Sequence, residues 1–308
     1  MREKASITYA KPFLKWAGGK RQLLNVIETS LPKEISHWES FTYVEPFVGS
    51  GALLFWMIKT FPNLKKAIIN DINPDLTKAY NVIKTNPEKL IKKLEVIQDK
   101  YYNLSSEENR NVFFYEKRNQ FNKRNLNDTE NTVLLIFLNR TCFNGLYRVN
   151  SKGEFNVPFG RYNHPKICDP LTIMSDSLAL RKVKILREDF QQTINYADNN
   201  TLFYLDPPYK PISSTSHFTS YSIDRFDDND QERLKEFCDL IDKKGCNFIL
   251  SNSDLKNHNS FNNYFDELYS NYNIERVQAA RNINSIGSKR KKIYELLITN
   301  NDTLLQVS

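Results

Sequence analysis

The sequence predicts an α/β protein: a doubly wound, mostly parallel, Rossmann-like sheet with one inserted, mainly helical segment containing a hairpin. Three observations lead there. Short apolar runs such as Thr201–Leu205 end abruptly at turn-forming residues, as buried parallel strands do. The first strand-like run is followed by a glycine turn that opens a helix, the start of a strand–turn–helix unit. A helical stretch then interrupts the alternation before strand-like runs resume.

In chain order, Phe41–Glu45 reads as the first strand, Gly49–Gly51 as a turn and Ala52–Thr60 as a helix starting from it. Lys66–Asn70 is the second strand and ends at Asp71. Leu76–Lys100 has apolar residues near helical spacing, interrupted at Pro87, which has no N–H to give. Asn109–Phe121 and Asn131–Arg140 are further helices. From Thr141 to Tyr162, glycines at 145, 153 and 160 divide short stretches, the signature of a hairpin or irregular loop. Val183–Leu186, Thr201–Leu205, Asn247–Ser251 and Ile293–Thr299 return to strand character. The expected division is one domain from residues 1–75 and 169–308, with 76–168 inserted as a second.

At 308 residues, 40% hydrophobic and 13% aromatic, the chain is long and apolar enough for a packed globule. No apolar run reaches the ~18 residues of a membrane span, and the first thirty residues lack a signal-peptide pattern. Cys142, Cys168, Cys238 and Cys246 form no CxxC, and the four histidines show no metal spacing, so free thiols in a reduced cytoplasm and no metal are expected. The charge is uneven: residues 76–168 hold 16 Lys and Arg against 9 Asp and Glu, whereas the rest holds 27 of each. A basic segment beside a neutral one points to a polyanion-binding part attached to a neutral catalytic part. Runs such as Lys89–Lys93 read equally as solvated helix faces.

Asp206-Pro207-Pro208-Tyr209 is the most informative segment. It follows the Thr201–Leu205 strand, and its prolines stop the ladder. It therefore forms a rigid corner at the carboxyl end of a strand, where open α/β sheets bind ligands. The corner offers a carboxylate, an uncommitted carbonyl and an aromatic face, which suit a flat base with an exocyclic amino group. A second candidate site is the turn at Gly49 and Gly51, where the backbone can approach a ligand closely. Asp71, about twenty residues further on, is placed to accept ribose hydroxyls. The chain has no GxxxxGK[ST] loop, which disfavours nucleotide hydrolysis.

Lys11-Pro12-Phe13-Leu14-Lys15-Trp16-Ala17-Gly18-Gly19-Lys20, Tyr43-Val44-Glu45-Pro46-Phe47-Val48-Gly49-Ser50-Gly51-Ala52 and Asp206–Tyr209 occur in this order. With Phe143–Leu146, Gly153–Tyr162 and Ser288–Lys292, they make the chain resemble the Dam-type (D12 class, alpha group) DNA adenine-N6 methyltransferases from about residue 11 to about residue 298. The resemblance implies a methyltransferase sheet, S-adenosyl-L-methionine as cofactor and duplex DNA as partner, with the insertion as the DNA-recognition domain. It implies that Trp16 and Lys20 help hold the cofactor, that Phe47 lines its pocket, that Asp71 binds the ribose, and that Asp189 and Phe190 contact its adenine. It further implies that Phe143 wedges into the duplex, Arg148 reads a guanine, Leu146 and Pro158 touch base edges, and Lys15 assists. Arg140, Asn144 and Arg161 lie in the same stretch as candidate DNA contacts, and Arg290 in the Ser288–Lys292 loop is a candidate phosphate contact. The expected target is adenine in GATC, methylated by a monomer, with a restriction endonuclease acting on the same site as a possible partner.

The residues also carry a chemical argument. The adenine amino lone pair is delocalised into the ring. Acceptance of its protons by Asp206 and the Pro207 carbonyl favours a more tetrahedral, nucleophilic nitrogen, an electrostatic effect. Tyr209 would stack on the base, which must first leave the helix. Between Arg140 and Lys166, five basic residues stand against one acid, with Phe143, Tyr147, Phe155, Phe159 and Tyr162 interleaved. Such aromatics either stack on bases or pack a loop. Methylation of RNA or of a protein glutamine is the alternative enzyme reading, against which the basic insertion and the Arg148 region favour duplex DNA. DNA binding without catalysis is a third, against which the intact Asp206–Tyr209, Asp71 and Gly49–Gly51 argue.

Overall fold

The computed structural model describes residues 5–16, 23–209, 226–279 and 293–301. Seven strands form one sheet in the order β3-β2-β1-β4-β5-β7-β6. The strands are β1 (Phe41–Glu45), β2 (Leu64–Asn70), β3 (Val183–Leu186), β4 (Thr201–Leu205), β5 (Asn247–Ser253), β6 (Asn273–Ala279) and β7 (Ile293–Thr299). β1 through β5 are mutually parallel, and β7 lies antiparallel between β5 and β6. The chain leaves β1 toward β2 and later returns to place β4 on the other side of β1. The sheet thus has its topological switch between β1 and β4, and the crevice there opens at their carboxyl ends.

Every residue of β1 and of β4 is buried, as befits central strands covered on both faces. Alternate side chains feed two cores. Tyr43, Ala67, Ile69, Leu202 and Tyr204 face one side, and Val44, Ile68, Phe203 and Leu205 face the other. On the first side lie α2 (Ala52–Thr60), α3 (Pro74–Thr85) and α7 (Pro170–Leu180); on the second lies α8 (Asp228–Lys243), whose Leu234, Phe237, Cys238 and Ile241 are buried. A short α1 (Leu24–Thr29) precedes β1, and α9 (Tyr264–Leu268) precedes β6.

The doubly wound α/β fold is as expected, with β1, α2, β3, β4 and β7 on the anticipated residues. The helical stretch broken at Pro87 is α3 and α4 (Pro87–Tyr102). α3 starts at Pro74 because Asn73 Oδ1 accepts from the Asp75 and Leu76 amides. It is followed by α5 (Glu107–Asn122) and α6 (Asp128–Thr141). These helices join the first core through Leu90, Leu94, Tyr101, Phe114, Phe121 and Phe137. α3 also packs on α7, and Lys84 Nζ donates to the Val183 carbonyl at the head of β3 (2.6 Å). Helices α1, α7, α8 and α9 and strand β6 go beyond the sequence reading. β6 is an edge strand, Asn-Ile-Glu-Arg-Val-Gln-Ala, too polar to announce itself as a strand. No helix among the described residues is long and apolar enough to cross a membrane.

Candidate active site and recognition hairpin

The β4 corner is built as its prolines require. Asp206 is half-buried, Pro207 buried, Pro208 exposed and Tyr209 half-buried. The Tyr209 hydroxyl donates to Glu295 Oε2 at 2.8 Å and lies 3.4 Å from Ser251 Oγ. Burial, with the charges of Asp206 and Glu295, pushes the phenol well above its ordinary pKa, so it remains neutral. Glu295 and Ser251 reach this corner from β7 and β5. Neither was singled out from sequence, because no local pattern ties them to Tyr209.

At the end of β1, Glu45 is buried and accepts from the Tyr43 hydroxyl (3.0 Å). Burial drives its carboxyl well above the usual range, against the Tyr43 bond, and the nearby Asp206 and Asp71 add to the rise. Asp71, just beyond β2, ties the two strand ends together: Oδ2 accepts from the Gly49 amide (3.1 Å) and Oδ1 from the Asn73 amide (2.9 Å). Burial nevertheless lifts its pKa to about 6, the two amides only partly offsetting it. Glu45 is the member of this carboxyl group that sequence reasoning passed over. Among the described residues, no group of His, Cys, Asp and Glu could hold a metal ion.

The turn needs its glycines. Gly49 and Gly51 have φ of +49° and +72°, and a Cβ on Gly51 would stand 2.6 Å from the Tyr80 hydroxyl oxygen. That hydroxyl donates to the Gly49 carbonyl at 2.9 Å. A Cβ on Gly49 would stand 3.2 Å from the Trp16 ring. Phe47 packs against Phe190 with ring centroids 5.3 Å apart, and Ile72 beside Asp71 is 58% exposed. Asp189 caps the turn that carries Phe190 and pairs with Arg233 at 2.7 Å, so its carboxylate has an intramolecular partner. Lys20 lies outside the described residues.

The segment from Cys142 to Phe159 is a hairpin, bridged at Cys142–Phe159 and Val149–Phe155. The Phe143 amide donates to the Pro158 carbonyl (2.9 Å), which brings Phe143, Asn144, Leu146 and Pro158 together as exposed residues. Phe143 is 53% exposed. Tyr147, Phe155 and Phe159, by contrast, are buried. Of the two roles open to the interleaved aromatics, these three pack the hairpin, because its strands are too short to close without an apolar filling. Arg148 is held by Asn156: Nε donates to Oδ1 at 2.7 Å and Nη2 to the backbone carbonyl at 3.4 Å. Arg140 turns inward, Nη2 donating to the Phe13 carbonyl (2.8 Å), and burial lowers its pKa. Arg161 is exposed, 3.6 Å from Glu107. Lys15 is exposed, with Nζ 5.8 Å from the centre of the Tyr162 ring. Asn139 clamps the Lys15 segment to the hairpin, accepting from the Lys15 amide (2.8 Å) and donating to the Lys15 and Gly145 carbonyls (2.9 Å each). Arg290, with the rest of Ser288–Lys292, lies outside the described residues.

An open α/β sheet with a glycine turn and three acidic strand ends, Glu45, Asp71 and Asp206, around its switch point belongs to the class of doubly wound folds that bind ligands in that crevice. The particular family follows from comparison. The signature of the D12 class N6 adenine-specific DNA methyltransferases matches residues 16–283, and the chain belongs to that family. It is 48% identical over 295 residues to the type II methyltransferase M.MjaIII of Methanocaldococcus jannaschii, covering 94% of this chain and 99% of that protein. The type II methyltransferase M1.LlaDCHI of Lactococcus lactis subsp. cremoris is 38% identical over 94% of this chain and 95% of its own length. The DNA adenine methylase of Haemophilus influenzae is 34% identical over 93% and 92%. The protein is therefore an adenine-specific DNA methyltransferase acting on DNA.

Proposed function

We propose that the protein transfers the methyl group of S-adenosylmethionine to N6 of an adenine flipped out of duplex DNA, within GATC. One observation carries this reading: Asp71 and the Gly49–Gly51 turn share the sheet's switch point with the Asp206–Tyr209 corner. A nucleoside-accepting crevice and an amino-group acceptor thus sit side by side. The residues suit the cofactor. Asp71 retains lone pairs beyond its two amide bonds, and Phe47 and Ile72 offer apolar surface for a base, with the buried Phe190 packed against Phe47.

When bound, S-adenosylmethionine supplies an electrophilic methyl group on a sulfonium. Asp71 accepts the ribose hydroxyls. Trp16, Lys20 and Phe47 help to hold the cofactor, and Asp189 and Phe190 flank its adenine. Asp206 and the Pro207 carbonyl accept the target amino protons and stabilise the charge that develops on nitrogen. Tyr209, anchored through Glu295, stacks on the flipped base. Phe143 enters the space the base vacates, and Arg148, oriented by Asn156, reads guanine through O6 and N7. Leu146 and Pro158 touch base edges. Lys15, Asn144, Arg161 and Arg290 contact the DNA around them. Arg140 holds the Phe13 segment, a contact that also fixes the neighbouring Lys15. Residues 1–75 and 169–308 serve catalysis and 76–168 DNA recognition. A monomer suits a palindrome whose strands are methylated in separate visits. The type II names of two relatives support a restriction endonuclease partner for the same site.

Transfer of labelled methyl groups to duplexes with and without adenine in GATC, followed by mapping of the modified base, tests this reading. Label at N6-methyladenine within GATC is expected; label on another base, or in another motif, rejects it.

A further inference from the structure

Tyr147 belongs to the hairpin, yet its ring reaches beyond it to Trp16. It stacks on Trp16 with centroids 5.0 Å apart and planes 24° from parallel. The pyrrole edge of Trp16 meets the glycine turn, its Cδ1 3.2 Å from where a Cβ on Gly49 would stand. Trp16 therefore touches both the hairpin, through its face, and the turn, through its pyrrole edge. The far end of Tyr147 is pinned: its hydroxyl donates to Asp75 Oδ2 at 2.9 Å.

Asp75 is itself immobilised. Its side chain is 5% exposed, and Arg124 Nη1 donates to both of its oxygens at 2.7–2.8 Å. Asn131 Nδ2 adds a third donor at 3.1 Å, and Arg124 Nη2 reaches the Gly153 carbonyl at the hairpin tip (2.7 Å). Asp75 lies four residues after Asp71, on the first turn of α3. A buried carboxylate with this many charge-assisted and neutral donors has one geometry. It transmits that geometry to the Tyr147 ring.

We propose that Tyr147 is a positioning residue for the cofactor: it backs Trp16 against the glycine turn, and Asp75 fixes the ring that does so. The segment that reads DNA thereby forms the outer wall of the cofactor site. The proposal rests on the reading that Trp16 and the turn hold S-adenosylmethionine. Tyr147 itself touches neither substrate.

The test is calorimetric titration of the full chain with S-adenosylhomocysteine, in the absence of DNA. The stack is an aromatic pair, so Trp16→Leu and Tyr147→Leu should each weaken binding about three- to tenfold. The double variant should bind no more weakly than Trp16→Leu alone, because the second residue acts through the first. Tyr147→Phe keeps the ring but drops the bond to Asp75, so its affinity should lie between those of Tyr147→Leu and the parent; parent affinity in Tyr147→Phe would remove Asp75 from the proposal. A purely structural role in the hairpin would instead lower DNA affinity and leave cofactor binding unchanged in Tyr147→Leu, which overturns the proposal. Multiplying effects in the double variant also overturn it. If both Trp16→Leu and Asp71→Ala bind normally, the cofactor-site reading itself fails. Should Tyr147→Leu melt below the titration temperature, Tyr147→Met takes its place with the same expected outcomes.

Discussion

The Tyr209 hydroxyl donates to the carboxylate of Glu295 at 2.8 Å, joining the corner after β4 to β7 across the intervening β5. The bond fixes the phenol end of the ring beside β7. On the proposed reading, the ring and not the hydroxyl is the working surface. Tyr209→Ala should slow single-turnover methylation about ten- to a hundredfold, the worth of one base–aromatic stack. Tyr209→Phe should retain most of the rate. A target-site 2-aminopurine should brighten in the complex with Tyr209→Ala and not with Tyr209→Phe; equal behaviour of the two variants would assign the role to the hydroxyl.

Asp206→Ala should lower the rate of methyl transfer on the order of 10²–10³, as loss of one fixed stabilising group does. DNA affinity and thermal stability should stay near those of the parent. Single-turnover transfer within about threefold of the parent rate would mean that Asp206 does not hold the amino group.

With the proposed ribose role, Asp71 should give the cofactor affinity a pH dependence. Its carboxyl titrates near 6 because burial opposes the charge. In the proposed role only the carboxylate would accept both ribose hydroxyls, so affinity should be full above that pH and fall up to about tenfold per unit below it. Asp71→Asn should bind weakly at all pH values and show a flat profile by calorimetry. The stability effect runs the other way. A folded-state pKa raised above that of the unfolded chain makes this group's contribution greatest in acid, declining as pH rises toward 6.

Arg148→Ala should relax discrimination at one base pair of the target by about 1–3 kcal/mol, in a library of single-base variants. Asn156→Ala should reproduce part of that loss, since it removes the acceptor that orients the guanidinium. Uniform weakening across the library would make Arg148 a backbone contact.

Gly51→Ala should destabilise the fold by about 1–2 kcal/mol, because φ of +72° is strained for any residue with a Cβ and Tyr80 blocks the space. Tyr80→Phe in the same chain should relieve the clash and leave the backbone strain. Chemical denaturation measures both.

The sequence by itself determined what is local. The apolar run Thr201–Leu205 stopped by two prolines, the glycine turn after Phe41–Glu45 and the break at Pro87 each carry their cause within a few residues, and the structure has them in place. What lies outside that reach was decided by the tertiary structure. Glu295 meets Tyr209, and Arg124 and Tyr147 meet Asp75, across 86, 49 and 72 residues of chain. Arg140 turns inward to the Phe13 carbonyl, and Tyr147, Phe155 and Phe159 fill the hairpin. The physical reason is the same in each case. A residue's type fixes which bonds it can make, but strand order and helix packing fix which partner is within 3 Å, and a basic or aromatic side chain reads alike in sequence whether it faces DNA or a carbonyl inside the fold.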